Sequence, residues 1–195
     1  MKAAETREEI ITAADKLFYE QGFEATSFSH IAEAVKISRG NFYYHFKTKD
    51  DILSAVIARR ISDREALLVQ WEGAAKSPKD CIIAFIHILI QNQSKIMLYG
   101  CPIGTLSTEL AKLDHPGASD ANRLFDLFRT WLERQFQALG CGGESNHHAM
   151  HILMRSQGIA TLANAFKDEA FVRAEVTALE DWLDQVIAEI PASTA

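Results

Sequence analysis

The sequence has few cysteines, and their spacing argues against two kinds of small, cross-linked scaffold. Cys81, Cys101 and Cys141 are the three cysteines among 195 residues, and no two of them form a CxxC motif. Disulfide frameworks use even numbers of cysteines, and zinc ribbons use paired CxxC motifs. The sequence therefore predicts a protein of a reducing compartment.

Long hydrophobic runs are also missing. The N-terminal segment MKAAETREEI has no apolar stretch of the kind found in a signal peptide. The longest apolar segment, CIIAFIHILI from Cys81 to Ile90, is about half of the ~20 residues that a membrane span requires. We therefore expect a soluble, cytoplasmic protein without a membrane partner, large enough for one sizeable core or two small ones.

Positive charge is scarce over the chain as a whole, whose formal net charge is −6. Nucleic-acid binders are often basic, and this chain is not. Between Lys36 and Arg60, however, basic residues outnumber acidic ones. This pattern indicates a small basic patch on an acidic body, which suits a binder with modest non-specific affinity for nucleic acid.

The stretch TSFSHIAEAVKISRGNFYYHFKTK, from Thr26 to Lys49, has the spacing of two short helices. Apolar residues recur at every third or fourth position from Phe28 to Val35, which predicts a helix with one buried face. Thr26 or Ser27 is placed to cap its start, and Ser38 offers the N-cap of a second helix. Two short helices joined by a tight turn form a helix-turn-helix.

The second of these helices has two different faces. Phe42 and Phe46 lie one turn apart and are expected to pack inward, whereas Gly40 and Tyr44 point the opposite way. An exposed face with Arg39 in its first turn suits the major groove of DNA, which is wide enough for a helix. The alternative is an ordinary two-helix corner with a solvated polar face.

The segment IAEAVKISRGNFYYHFKTKDDIL resembles the DNA-binding domain of the TetR family of bacterial transcriptional regulators. The family pattern is Ile-Ala, a turn, Ser-x-Gly-x-x-Tyr-x-His-Phe, then Lys and an apolar pair. Lys36 departs from it, since the family usually has Gly at that turn, where the backbone often needs a positive φ. The resemblance implies DNA contacts by Ser38, Arg39, Gly40, Asn41, Tyr43, Tyr44, His45 and Lys49. Ser27, at the start of the first helix, is a further candidate DNA contact.

Helical spacing continues through the rest of the chain and predicts an all-α protein of about nine helices. Residues 1–47 form the expected helix-turn-helix domain, and residues 48–195 the expected effector-binding and dimerisation domain. A fourth helix, from Lys49 to about Trp71, is long enough to link the two. The apolar helix from Cys81 to Ile90 is expected to be buried on every side.

Candidate effector contacts lie in the second domain. His87 interrupts the apolar helix, so it is either a core histidine with a polar partner or part of a pocket wall. The aromatic stripe between Ala121 and Leu139, which includes Phe125 and Phe128, indicates either a filled core or an apolar pocket. Cys101 and Met154 are also candidates. The candidate effector contacts are therefore His87, Cys101, Phe125, Phe128 and Met154.

Cys101 precedes Pro102, which is placed to open a helix. A thiol beside a helix N-terminus has its thiolate stabilised by the helix dipole, which favours reactivity. The alternative is a small buried residue in a corner. The Gly-Cys-Pro segment also resembles, more weakly, TetR-family members in which a cysteine neighbours the effector pocket and in some is attacked by electrophiles.

No metal or cofactor is expected. His147 and His151 lie one turn apart beside His148, but no third ligand of the right kind is visible and the HExxH motif is absent. A solvated or interfacial histidine group is the preferred interpretation.

The last two helices are more apolar than one small domain requires, which favours pairing of two copies as a four-helix bundle. The resemblance implies the same, because these helices form the dimer interface in the family. The expected function is a repressor that leaves a palindromic operator when a small-molecule or thiol-reactive effector binds. The alternatives are an activator of the same family, a thiol-dependent enzyme centred on Cys101, and a protein-binding helical module.

Overall fold

The computed structural model describes residues 2–190. Within that range the chain is helical without strands, which confirms the all-α prediction; the last residues of the predicted second domain, 191–195, lie outside it. The elements in chain order are α1 (Lys2–Gln21), α2 (Phe28–Val35), α3 (Arg39–His45), α4 (Lys49–Ala74), α5 (Pro78–Gln91), α6 (Gln93–Tyr99), α7 (Pro102–Lys112), α8 (Ala118–Leu139), the 3-10 helix η1 (Gly142–Glu144), α9 (Ser145–Phe166) and α10 (Glu169–Ala188).

Local side-chain and backbone signals set several helix ends. Ser77 Oγ accepts from the Asp80 backbone N–H at 3.2 Å, directly before Pro78 opens α5. Gly100, with φ of 81°, ends α6. The break between α5 and α6 was not evident from the pattern, and it brings the helix count of the described residues to ten α-helices. Asn92 ends α5, where its side-chain amide donates to the Ile88 carbonyl at 3.0 Å.

The described residues form two compact units. The first reaches from the N-terminal side to Arg64 and includes Pro102–Phe125. Its core contains Ile10 and Phe18 from α1, Ile31 from α2 and Phe42 from α3, and α7 completes it with the buried side chains Leu106 and Leu110. The helix-turn-helix is therefore packed in a unit to which α7, far along the chain, also belongs.

The second unit comprises Glu65–Cys101 and the chain from Asp126 onward. Its buried side chains include Phe85 of α5, Trp131 and Phe136 of α8, and Ile152 of α9. The Phe85 and Phe128 rings meet edge to face, with centroids 5.2 Å apart.

The expectation that the helix around Cys81–Ile90 is buried on every side is wrong. Ile82, Phe85 and Leu89 are buried, but Ile83 and Ile88 are only half-buried. The physical reason is that α5 packs against α9 and α10 on one side, while its other apolar face is only partly covered within the chain. Residues 2–190 contain no single helix with the length and hydropathy of a membrane span; only Pro78–Gln91 and Gln93–Lys112 taken together, bent by 58°, meet both criteria.

Candidate nucleic-acid interface

The start of α2 is fixed by a reciprocal pair of hydrogen bonds. Ser27 Oγ accepts from the His30 backbone N–H at 3.2 Å, and the Ser27 backbone N–H donates to His30 Nδ1 at 3.3 Å. This is a capping box in which histidine replaces the usual Glu or Gln. The N-cap prediction for Ser27 is confirmed. His30 was missed as a participant, although its place three residues after the cap was the available signal.

The turn between α2 and α3 is tight because Lys36 takes the left-handed conformation. Its φ and ψ are 58° and 39°, and its backbone N–H donates to the carbonyls of Ala32 and Glu33. The positive φ expected at this departure from the family pattern is confirmed. Ser38 then caps α3, with its Oγ accepting from the Asn41 backbone N–H at 3.3 Å.

Aromatic packing orients α3. Phe42 and Phe46 are buried, as predicted, and the Phe42 ring meets the Phe28 ring edge to face at 5.2 Å. The Tyr43 ring stacks on Phe28 with centroids 5.5 Å apart, which leaves it 47% exposed. Tyr44 is 73% exposed. The helix therefore presents a fixed outer face, since its inner face is locked into the core.

That outer face carries donors and open space. Arg39, Gly40, Asn41 and Tyr44 are exposed, as are the two capping serines. A Cβ atom added to Gly40 would meet nothing within 4 Å. The fold itself thus does not require glycine at this position, and the missing side chain allows close approach by an outside partner.

Two basic side chains near the end of α3, His45 and Lys49, make different contacts within the protein. The Lys49 ammonium donates to the carbonyls of Phe23 and Glu24 at 3.1 and 3.3 Å, so it is turned toward the loop before α2. The His45 ring packs edge to face on Tyr44. These two predicted contacts therefore have partners inside the protein.

A reciprocal pair of hydrogen bonds caps the start of α4. The Thr48 backbone N–H donates to Asp51 Oδ2 at 2.9 Å, and the Asp51 backbone N–H donates to Thr48 Oγ1 at 3.0 Å. Hydrogen bonds from the Thr48 backbone and side chain hold the pKa of the exposed Asp51 carboxyl below its ordinary value. This cap fixes the start of α4, with three residues between it and the end of α3.

Comparison with known proteins shows to which protein family this arrangement of helices belongs. The family model "Bacterial regulatory proteins, tetR family" matches residues 10–56. An uncharacterized HTH-type transcriptional regulator in the lacX 3' region of Lactococcus lactis subsp. lactis is 29% identical over 84% of this chain and 85% of that protein. The uncharacterized HTH-type transcriptional regulator TtgW of Pseudomonas putida is 33% identical over 48% of this chain and 70% of that protein. The chain belongs to the TetR family.

Structures of TetR-family proteins agree with this assignment at the level of the fold. A regulator from Streptomyces coelicolor superposes with a TM-score of 0.82 at 17% identity, covering 97% of each chain. A regulator from Legionella pneumophila has a TM-score of 0.80 at 25% identity, covering 90% of this chain and 95% of that one. The family assignment identifies this TetR-family chain as a helix-turn-helix, DNA-binding transcriptional regulator.

The candidate effector residues of this TetR-family regulator are spread over different environments. Phe128 is buried, while Phe125 is half-buried and belongs to the first unit. His87 is partly exposed and pairs with Glu180 of α10, so it is a surface histidine with a partner and not a core one. Cys101 is partly buried directly before α7, and Met154 is 61% exposed on α9.

A histidine cluster lies where α9 meets α10. The His151 ring stacks on Trp182 with centroids 4.2 Å apart, and the His148 ring meets the same indole at 5.6 Å. His148 Nδ1 and His151 Nε2 are buried without a hydrogen-bond partner. Among the described residues, no three His, Cys, Asp or Glu side chains are placed to hold a metal ion. The cluster is packed between α9 and α10.

Burial lowers the pKa of both His148 and His151 from the ordinary value of 6.5, and neighbouring positive groups, His147 and Arg155, add to the effect. The unfolded chain therefore binds more protons than the folded one when the pH falls below about 7. We expect the free energy of unfolding to be highest above that pH and to fall as the pH drops through the ordinary histidine value. The decline ends once the folded histidines also take up protons.

Urea unfolding between pH 8 and pH 5 measures this decline. A His148→Phe, His151→Phe double variant should show a shallower pH dependence than the wild type, because it removes the two groups that resist protonation. If the free energy of unfolding depended equally on pH in the two proteins, His148 and His151 would not be the cause of the decline.

Proposed function

We propose that the chain is a repressor that binds a palindromic operator as a homodimer and leaves it when an effector binds the second domain. The observation that carries the proposal is the exposed face of α3, with Arg39, Asn41 and Tyr44 outward while Phe42 is locked into the core. Residues 1–47 are the proposed DNA-binding domain and residues 48–195 the effector-binding and dimerisation domain. A cytoplasmic location follows from the proposed access to the chromosome.

The proposed DNA contacts fall into three groups. Arg39 and Asn41 have side chains suited to base edges in the major groove, and the Tyr43 and Tyr44 hydroxyls suit phosphates or bases. Ser27 and Ser38 lie at helix starts, where backbone N–H groups and hydroxyls suit phosphate oxygens. Gly40 allows close approach, while His45 and Lys49 flank the face and are proposed contacts at its edge.

The proposed dimer uses the last two helices. Exposed apolar side chains run along one face of α9: Met150, Met154, Leu162 and Phe166. Small exposed residues, Ala170, Ala174 and Ala178, recur at every fourth position of α10. Two copies of such a pair form a four-helix bundle, and the two-fold axis sets two recognition helices about 34 Å apart, one turn of DNA.

Salt dependence tests the DNA-binding part of the proposal. Duplex DNA from upstream of the coding region, labelled and titrated with the protein at several salt concentrations, should bind with an affinity that falls steeply as salt rises. The reason is that each neutralised phosphate releases counterions. Binding that is equally weak on all sequences and insensitive to salt would contradict the proposal. A reporter driven by the bound region then separates repression from activation, the rival within the family.

The proposed effector response includes the Cys101 thiol as one route. Treatment with N-ethylmaleimide should release the wild-type protein from its DNA but leave a Cys101→Ser variant bound, because the variant lacks the attacked sulfur. Cys81→Ser and Cys141→Ser are matched controls that should respond like the wild type. If N-ethylmaleimide released all of these proteins from DNA, or none of them, Cys101 would have no part in the proposed effector response. The relatives are regulators and give no support to a thiol-dependent enzyme at this residue.

A further inference from the structure

The loop between α1 and α2 is held by a carboxylate from a distant helix. Glu109 of α7 accepts the backbone N–H of Phe23 on Oε2 and that of Glu24 on Oε1, both at 2.9 Å. Hydrogen bonds to a charged acceptor are stronger than neutral ones. The segment directly before the helix-turn-helix is thus bonded to a helix outside it.

The opposite side of the same loop is held by Lys49 of α4. Its ammonium donates to the carbonyls of Phe23 and Glu24 and lies 4.2 Å from the centre of the Phe23 ring. It also lies 3.8 Å from the Glu24 carboxylate. The peptide groups of the loop are therefore fixed from both their N–H and their C=O sides.

Backbone geometry brings the loop to Glu109. Gly22 has a φ of +93°, and a Cβ atom at this position would lie 3.0 Å from Glu109 Oε1. The Phe23 ring is buried and meets the His115 ring edge to face at 5.1 Å, so the segment that follows α7 is packed there too. Glycine is needed both for the turn and for the carboxylate's approach.

We propose that Glu109 is a positioning residue for operator recognition. Its two hydrogen bonds fix the loop from which α2 starts, and so fix where α2 and α3 lie on the unit that α7 completes. Without the carboxylate, α2 and α3 remain folded but can shift together relative to the rest of the unit. This inference rests on the proposed operator binding and assigns a determinant of its specificity that lies outside the helix-turn-helix.

The test compares Glu109→Gln, Glu109→Asp and the wild type on two duplexes, the upstream DNA and a scrambled duplex of equal length. Glu109→Gln keeps the side-chain shape but loses one acceptor, and Glu109→Asp keeps the charge but loses the reach. Both should bind the upstream duplex about tenfold more weakly and bind the scrambled duplex as the wild type does. Removing a negative charge by itself would strengthen binding to both duplexes. The exposed Glu9→Gln variant is therefore the matched control for the charge lost in Glu109→Gln.

The titrations are made at 20 °C after circular dichroism has shown each variant to be fully folded. A merely structural role would lower the melting temperature but leave the ratio of specific to non-specific affinity unchanged, which would overturn the proposal. Hydrogen exchange of the Phe23 and Glu24 amides in the free protein should be faster in both Glu109 variants. Unchanged exchange would also overturn it. Absence of specific binding by the wild type would instead identify failure of the proposed function itself.

Discussion

The double variant Arg39→Ala, Tyr44→Ala should lose roughly 100-fold or more in affinity for the upstream duplex, since each good base contact contributes about 1–3 kcal/mol and the dimer has two copies of each. Both side chains are exposed and lie outside the first unit's core, so the fold should be retained. Fluorescence anisotropy at fixed salt measures the change.

Single substitutions at Arg39 and Tyr44 separate a contact to a base from a contact to a phosphate. Arg39→Ala should relax sequence preference, because a base contact is lost, whereas Tyr44→Phe should weaken binding to related sequences by similar factors if its hydroxyl meets phosphate. Arg123→Ala, an exposed arginine on α8 of the same unit, controls for the loss of one positive charge. Equal losses from Arg123→Ala and from Arg39→Ala would show that charge alone acts.

A charged residue on the proposed dimer face, at the C-terminal end of α9, should separate the subunits. Phe166→Glu replaces a side chain that is 71% exposed in the single chain, so the change should cost the monomer little. In the bundle it would bury an unpaired carboxylate, and we expect the dimer dissociation constant to rise by about 100-fold or more. Sedimentation at several protein concentrations measures it.

Val69→Glu is the matched control for this variant, because Val69 is 69% exposed on α4 and lies outside the proposed interface. It should leave the dimer intact. Phe166→Glu should also weaken operator binding, since each monomer then engages one half-site alone. A Phe166→Glu protein that remains dimeric at nanomolar concentration would contradict the proposed interface.

Features that depend on a few neighbouring residues could be predicted from the sequence. The N-caps at Ser27 and Ser38 were predicted correctly, as were the positive φ of Lys36 and the inward packing of Phe42. Each of these is decided within about one helical turn, where spacing and side-chain chemistry act directly.

Features that depend on distant partners could not be predicted. The hydrogen bond from the Phe23 backbone N–H to the Glu109 carboxylate joins residues 86 positions apart. The local spacing of residue types does not indicate contacts over such a separation. Likewise, the Phe23 and Glu24 carbonyls that accept from the Lys49 ammonium lie 26 and 25 positions earlier in the chain, so local spacing gave no signal of these partners. The half-covered face of α5 has the same cause, because apolar composition predicts burial without saying which surface provides it.

Hydroxyl-radical footprinting of the wild-type protein on the upstream duplex tests the central claim most directly. If α3 of each subunit enters the major groove, two protected half-sites should be related by a two-fold axis with centres about one DNA turn, or 34 Å, apart. The Arg39→Ala, Tyr44→Ala variant should leave no footprint at the same concentration. A single continuous footprint without symmetry, retained in the variant, would contradict operator recognition by α3.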